Sequence, residues 1–405
     1  MKPSPPRGSL VSLSLSMLLA SLGTSIANVG LPSLAHVFDA SFHAVQWVVL
    51  AYLMAITAVI VSAGRLGDRL GRRRVLLTGL LLFAVACALC GAAPSLEWLI
   101  AARVLQGLGA ATMMAMTLAM VGDTVTPERT GRVMGLLGTM SAVGTAMGPS
   151  VGGLLLSLWG WRALFLAGLP LSVVAAALAF GYLPVDRVAA TAAARESFFS
   201  VLKDPGLRAG LAMSAWVSAV IMATFVVGPF YLSRGLGLEP AWMGLAMAVG
   251  PCVAALSGVP AGRLTDRLGS PRMTLTGLGV MALGALSLSL ASGLVAYLAA
   301  LVILTTGYSL FQAANNTAVM SDVQPSRRGT VSGLLNLSRN LGLIFGASAL
   351  GAVFAWACPD VTQAEAQNVA NGLHVTFGVA LALIAAASTI AWRRLSAVTC
   401  PQNTR

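Results

Sequence analysis

Residues 64–74 read GRLGDRLGRRR, with five arginines, three glycines and one aspartate set between two long apolar segments. A second version, GRLTDRLGSPR, stands at residues 262–272. The chain is only 9% charged, so this concentration of charge needs a cause, and the flanking sequence supplies one. The 405 residues are 57% hydrophobic with a mean hydropathy of +0.84. Soluble domains carry about 25% charged residues. Here apolar runs of about twenty residues alternate with short basic turns, and a helix of that length crosses ~30 Å of hydrocarbon. The sequence predicts an all-α integral membrane protein.

Twelve spans are expected, at approximately 10–31, 45–64, 75–93, 98–121, 132–157, 163–183, 208–232, 241–261, 273–291, 295–320, 330–356 and 372–392. Of the 25 basic residues, Arg103 and Arg339 fall within spans, and Arg162 and Arg234 fall on one side of the membrane. All the others fall on the opposite side. Basic residues in short loops hold those loops in the cytoplasm, so both termini are expected there, in a multi-pass plasma (inner) membrane protein. The same rule accounts for the net charge of +12 without a nucleic-acid partner. The opening MKPSPPRGSLVSLSLSMLLASLGTSIANVGLP imitates a signal peptide, but its apolar stretch is long and continues into the multi-span pattern. It is read as a retained first helix. The spacing Cys87-x-x-Cys90 lies in LLFAVACALCGAA with no histidine or carboxylate beside it, which favours helix packing over a metal site. No metal or cofactor is expected.

The charged stretch also reveals an internal repeat. A shift of 198 carries Gly64, Arg65, Leu66, Asp68, Arg69, Leu70 and Gly71 onto Gly262, Arg263, Leu264, Asp266, Arg267, Leu268 and Gly269. It carries Thr78-Gly79-Leu80 onto Thr276-Gly277-Leu278, Gly144 onto Gly342 and Gly148 onto Gly346. Six spans per copy is an even number, so the copies are parallel repeats about an axis along the membrane normal. The expected organisation is a six-helix bundle over 1–183, a cytoplasmic linker over 184–207 and a second six-helix bundle over 208–405. Within the linker, RESFFSVLK reads either as a short interfacial helix or as plain connector.

Two parallel six-helix halves with this stretch after span 2 resemble the major facilitator superfamily, over essentially the whole chain. Gly64, Asp68, Arg69, Gly71, Arg72 and Arg73 match its Gly-x-x-x-Asp-Arg-x-Gly-Arg-Arg signature. RVLQGLGAA in span 4, with Arg103, looks like a second family motif, and GTAMGPSVGG at 144–153 resembles the antiporter motif of drug-exporting branches. ANVGLPSL followed by QWVVLAYLM is similar to the drug:proton antiporter branch, which is usually drawn with fourteen spans. The resemblance implies gating roles for Asp68, facing the start of span 11 near Gly329 and Thr330, and by the repeat for Asp266 with Arg267, near Gly131. Gly144, Gly148 and Gly152 recur every four residues as a bare stripe for close helix packing, and Pro149 removes a backbone donor. The resemblance adds a role for the stripe in sealing against leak.

All thirteen acidic residues fall in loops or at span ends. The related antiporters often carry an aspartate in span 1 ahead of NVGLP, whereas this chain has Gly23 near that place. The polar residues inside spans fall at helical spacing: Ser21, Ser25 and Asn28; Arg103 and Gln106; Tyr308, Gln312, Asn315 and Asn316; Asn336, Arg339 and Asn340. Such stripes read either as interhelical hydrogen bonds or as a substrate lining. The resemblance favours lining by spans 1, 4, 7 and 10, with Trp47 and Trp216 as aromatic walls.

The function this implies is secondary transport of a small organic molecule by alternating access, as proton-coupled efflux driven by the proton gradient. The substrate class is neutral, zwitterionic or anionic, since no carboxylate lies in mid-span. The rival is uptake or facilitated transport of a neutral metabolite or vitamin such as riboflavin. A monomer in contact with membrane lipid is expected. The charge pattern makes a direct prediction: green fluorescent protein fused after Arg405 fluoresces inside the cell. An active periplasmic phosphatase at the same junction would contradict the orientation.

Overall fold

The computed structural model describes residues 7–124, 127–184, 204–321, 323, 328–359, 361 and 364–399. The side chains of Arg7, Val61, Arg65, Asp68, 122–132, Gly135, 328–330, Ser332 and 393–399 lie outside that description. Among the described residues the fold is helical, and twelve helices are long and apolar enough to cross a membrane. They are Gly8–Val37, Phe42–Ile60, Arg72–Gly91, Leu96–Val121, Leu136–Trp159, Trp161–Tyr182, Pro205–Gly235, Pro240–Leu268, Ser270–Ser289, Gly293–Met320, Gly333–Ala357 and Ala366–Trp392, here spans 1 to 12. The all-α integral membrane architecture follows. The interfacial-helix reading of RESFFSVLK and most of the expected linker fall outside the described residues. The helix of span 7 begins at Pro205, where the Asp204 carboxylate accepts the N–H of Gly206 at 2.7 Å.

The stretch at 64–74 is shorter as a turn than its glycines suggest. The helix of span 2 runs unbroken to Leu70, and Gly71 alone turns the chain at φ 99° before the next helix begins at Arg72. Positive φ favours glycine. Gly71 N–H closes the first helix on Gly67 O at 3.0 Å, and Gly71 O opens the second by accepting Val75 N–H at 3.1 Å. Gly67 is helical and serves packing, because a Cβ there would meet the Met116 side chain. The second copy repeats the device at the same offset. Gly269 has φ 83°, its N–H reaches Thr265 O at 2.9 Å, and its O accepts Met273 N–H at 3.2 Å.

The chain divides into two compact units, Met1–Thr191 with Leu238–Pro251, and Ala192–Gly237 with Cys252–Arg405. In the first unit span 1 packs on spans 5 and 6, and span 3 on spans 4 and 6. In the second, span 7 packs on spans 11 and 12, and span 9 on spans 10 and 12. The contacts agree down to the atoms. A Cβ on Gly79 would meet Gly109 O at 3.3 Å, and one on Gly109 would meet Gly79 O at 2.9 Å and Phe83 N at 2.8 Å. At the shift of 198, a Cβ on Gly277 would meet Gly307 O at 3.0 Å, and one on Gly307 would meet Gly277 O at 2.8 Å and also Met281 N. Each half therefore has a crossing where two backbones touch with no side chain between them.

The stripe Gly144, Gly148 and Gly152 packs against span 1, at Leu18 O, Ser25 and Ile26, and Val29. Its counterparts Gly342 and Gly346 pack against Ala215 O and Ala219 O of span 7. Both stripe helices are irregular at the same place. Pro149 sits inside the helix of span 5, while span 11 passes through a π turn at Gly346–Leu350, which contains Ala347, the equivalent of Pro149. Each device interrupts the regular backbone ladder, one by removing a donor and the other by widening the turn.

These crossings predict a position-specific sensitivity. Gly277→Ala places its methyl 2.5 Å from Phe311 N and lowers stability by about 1–3 kcal/mol, the usual cost of overpacking. Gly279→Ala, with nothing within 4 Å, does not. Thermal unfolding of the two purified variants checks this, and equal melting temperatures would refute the crossing.

Candidate functional site

Arg103 is fully enclosed at 0% exposure, although it is the most hydrophilic side chain in span 4. Such a charge survives burial only if its N–H groups find acceptors. Its Nε donates to Val48 O of span 2 at 2.8 Å, and one terminal nitrogen donates to Gly23 O of span 1 at 3.0 Å. The other terminal nitrogen donates to Gln106 Oε1 at 2.5 Å, one turn along the same helix. The guanidinium carbon lies 4.1 Å from the centre of the Tyr52 ring and 5.8 Å from that of Phe165. Tyr52 in turn donates its hydroxyl to Ala20 O at 2.7 Å. Gln106 Nε2 donates to Cys87 Sγ at 3.1 Å, so the thiol takes part in the polar cluster.

The partners described for Arg103 are thus carbonyl oxygens, an amide and aromatic faces, all uncharged. Gly23 contributes through its backbone, and a Cβ there would meet the Tyr52 hydroxyl at 2.6 Å. The cluster clamps spans 1, 2, 3 and 4 together around the enclosed Arg103 side chain. The second half has no counterpart: the shift of 198 places Leu301 and Leu304 at the positions of Arg103 and Gln106, and both are buried.

The other polar residues divide by exposure. Asn28 is 1% exposed and donates through Nδ2 to Thr24 O and Ser25 O, each at 3.1 Å. Asn315 is 0% exposed and donates through Nδ2 to Gly210 O of span 7 at 3.1 Å. Gln312, Asn316, Trp216 and Arg339 are half-buried, and Asn336 and Trp47 are exposed. Carbonyl oxygens Asn28 Oδ1, Asn315 Oδ1 and Gln312 Oε1 are buried without a hydrogen-bond partner among the described residues. Sequence reasoning did not single out Tyr52, Cys87 or the Gly23 and Val48 carbonyls as partners of Arg103. Backbone acceptors leave no trace in a sequence, and Tyr52 is one aromatic among several.

The gating candidates Arg72 and Arg73 follow the Gly71 turn. Arg72 donates to Ala119 O of span 4 at 3.1 Å. Arg73 donates to Phe180 O of span 6, with its guanidinium carbon 5.4 Å from the Phe180 ring centre. Gly64 is half-buried and helical, with open space beside it. Arg69, Asp266 and Arg267 are exposed. The Asp68 side chain and the expected partner positions Gly131, Gly329 and Thr330 lie outside the described side chains.

Twelve membrane helices in two repeated halves, each tied by a glycine crossing, define a duplicated integral membrane protein. Residues 13–347 match the model of the Major Facilitator Superfamily, and the chain belongs to that family. It is 25% identical to the riboflavin transporter RibZ of Clostridioides difficile, over 85% of this chain and 88% of that protein. It is 28% identical to the multidrug efflux pump LfrA of Mycolicibacterium smegmatis, over 90% of this chain and 86% of that protein. The fold superposes with a TM-score of 0.83, at 18% identity and 97% coverage of both chains, on a bacterial homologue of the human lysosomal transporter Spinster in an inward-facing, unoccupied conformation. The chain is a transporter rather than an enzyme.

The clamp predicts a structural phenotype at Arg103. Arg103→Met leaves the Gly23 and Val48 carbonyls without their donor and costs about 2 kcal/mol or more. Arg103→Lys restores little, because a single ammonium lacks the planar fork that reaches three separated acceptors. Melting temperatures of the purified variants read this out, and an unchanged value for Arg103→Met would contradict the clamp.

Proposed function

We propose that this protein moves a small organic molecule across the plasma membrane by alternating access, exporting it in exchange for protons. The observation that carries the reading is the polar inventory of the spans, whose described side chains at Asn28, Gln312, Asn315 and Asn316 are neutral. Such a lining accepts a neutral, zwitterionic or anionic molecule and offers no carboxylate to hold a cation. The likeness to a multidrug efflux pump over most of both chains supports export. In this reading both termini lie in the cytoplasm and a single chain in contact with lipid is the working unit. Asp68 and Asp266, with Arg69, Arg72, Arg73 and Arg267, form the inner gates. The span 5 stripe with Pro149 seals the cavity against leak.

One observation favours a second reading. Arg103 is satisfied by the Gly23 carbonyl and other neutral groups, and no carboxylate stands among its described partners to exchange a proton with it. Uptake or facilitated movement of a neutral metabolite would need none. The likeness to a riboflavin transporter points the same way.

Proteoliposomes with an imposed pH gradient separate the two. Export predicts that riboflavin or chloramphenicol accumulates against its gradient and that nigericin abolishes accumulation. Movement indifferent to the pH gradient would overturn proton coupling and leave the facilitated reading. The gating assignment predicts that Asp68→Asn slows transport roughly tenfold or more while equilibrium binding changes less than about twofold, since a latch acts on the change of state. Equal losses in both would remove Asp68 from the gate.

A further inference from the structure

The second unit carries a feature that the transport reading leaves unexplained. Asn315 spends its amide nitrogen on Gly210 O at 3.1 Å. A carbonyl oxygen only accepts, so this bond fixes which way the side-chain amide points. Asn315 Oδ1 is therefore oriented by the fold, and it is buried without a partner among the described residues. Gln312, one turn earlier on the same face of span 10, has a buried Oε1 in the same state. Ser218, two turns beyond Gly210 on span 7, is 1% exposed, and its hydroxyl is also unpartnered. Many serine and threonine hydroxyls among the described residues bond back to their own helix, as Thr265 does to Ala261 O at 2.8 Å, and Ser218 departs from that habit.

Buried acceptors left unmade are costly and few, and a cluster of them on one helix face asks for a donor. Two classes of occupant satisfy such oxygens, a metal cation by coordination and an organic molecule by donating hydrogen bonds. A metal cation such as sodium takes about six or more oxygens, commonly with a carboxylate among them. Here the two amide oxygens on span 10 are neutral, with no acid in span 7 or span 10. An organic molecule with N–H or O–H groups on one edge fits the set without a charge.

We infer that the substrate donates hydrogen bonds to span 10: an uncharged small organic molecule whose polar edge bears amide, imide or hydroxyl donors received by Gln312 Oε1 and Asn315 Oδ1. This rests on the transporter reading and narrows its substrate class. A cation without donors, such as a quaternary phosphonium, is excluded from the site.

Probe pairs that differ by methylation of one donor test it: riboflavin and its imide-N-methyl derivative, and chloramphenicol and its amide-N-methyl derivative. Tetraphenylphosphonium serves as the donor-free cation. Binding is measured by titration calorimetry on the purified protein in lipid nanodiscs. At least one parent compound binds, and its methylated partner binds roughly tenfold more weakly, the loss expected for one hydrogen bond. Gln312→Met erases that discrimination, whereas Gln312→Glu, which keeps an acceptor, retains it. Should Gln312→Met fail to fold, the comparison of parent and methylated compounds on the unaltered protein still decides. The inference is overturned if neither parent binds, if methylation changes nothing, if tetraphenylphosphonium binds as tightly, or if binding requires sodium. Flux of the same probes in proteoliposomes separates this inference from the transport reading. A parent compound that binds with the methylation pattern but does not cross refutes transport and leaves the donor assignment standing. Compounds that cross equally fast with or without the donor do the reverse.

Discussion

The structure depends first on the direct approach of helix backbones at glycine. Within a membrane, apolar side chains gain little from leaving lipid for protein, so helices associate through close packing and polar contacts. The Gly79–Gly109 and Gly277–Gly307 crossings and the two stripes on spans 5 and 11 provide that packing. Their recurrence at an offset of 198 residues shows that the duplication preserved contacts as well as sequence. The single-residue turns at Gly71 and Gly269 belong to the same plan, each ending one helix and starting the next.

On this shared frame the halves have diverged. The first encloses a cation whose desolvation is offset by carbonyl oxygens, an amide and an aromatic face. The second fills the equivalent positions with leucine and places its polar groups on spans 7 and 10. A charge with several fixed acceptors favours one arrangement of spans 1 to 4. Unpartnered amide oxygens favour none until something donates to them. In the proposed mechanism the first half supplies rigidity and the second supplies much of the recognition.

The spans were legible in the sequence because membrane thickness imposes a length on every apolar run, and the expected boundaries match the helices to within about two turns, the end of span 8 lying furthest off at Leu268 instead of 261. The repeat was legible because glycines at contact points cannot drift without a clash. The end of span 2 was expected at 64, yet its helix continues to Leu70, with Gly67 leaving room for the Met116 side chain. Arg103 could be recognised as enclosed or lining only in three dimensions, since two of its acceptors are backbone carbonyls on other spans. The same limit applied to Asn315, whose residue type was visible while its bond to Gly210 was not. Wherever a side chain chooses its partner across helices, residue spacing gives the face and leaves the contact open.

The central claim is that each half moves as a unit during transport. The most direct test measures distances between nitroxide labels by pulsed electron paramagnetic resonance, in a background with Cys252 and Cys400 replaced by serine. A pair at Leu81 and Phe180, both exposed on the first half, should keep one distance under all conditions. A pair at Leu81 and Leu283, one on each half, should show two distances whose populations shift with pH or substrate. A change at Leu81 and Phe180 as large as that across the halves would contradict the account.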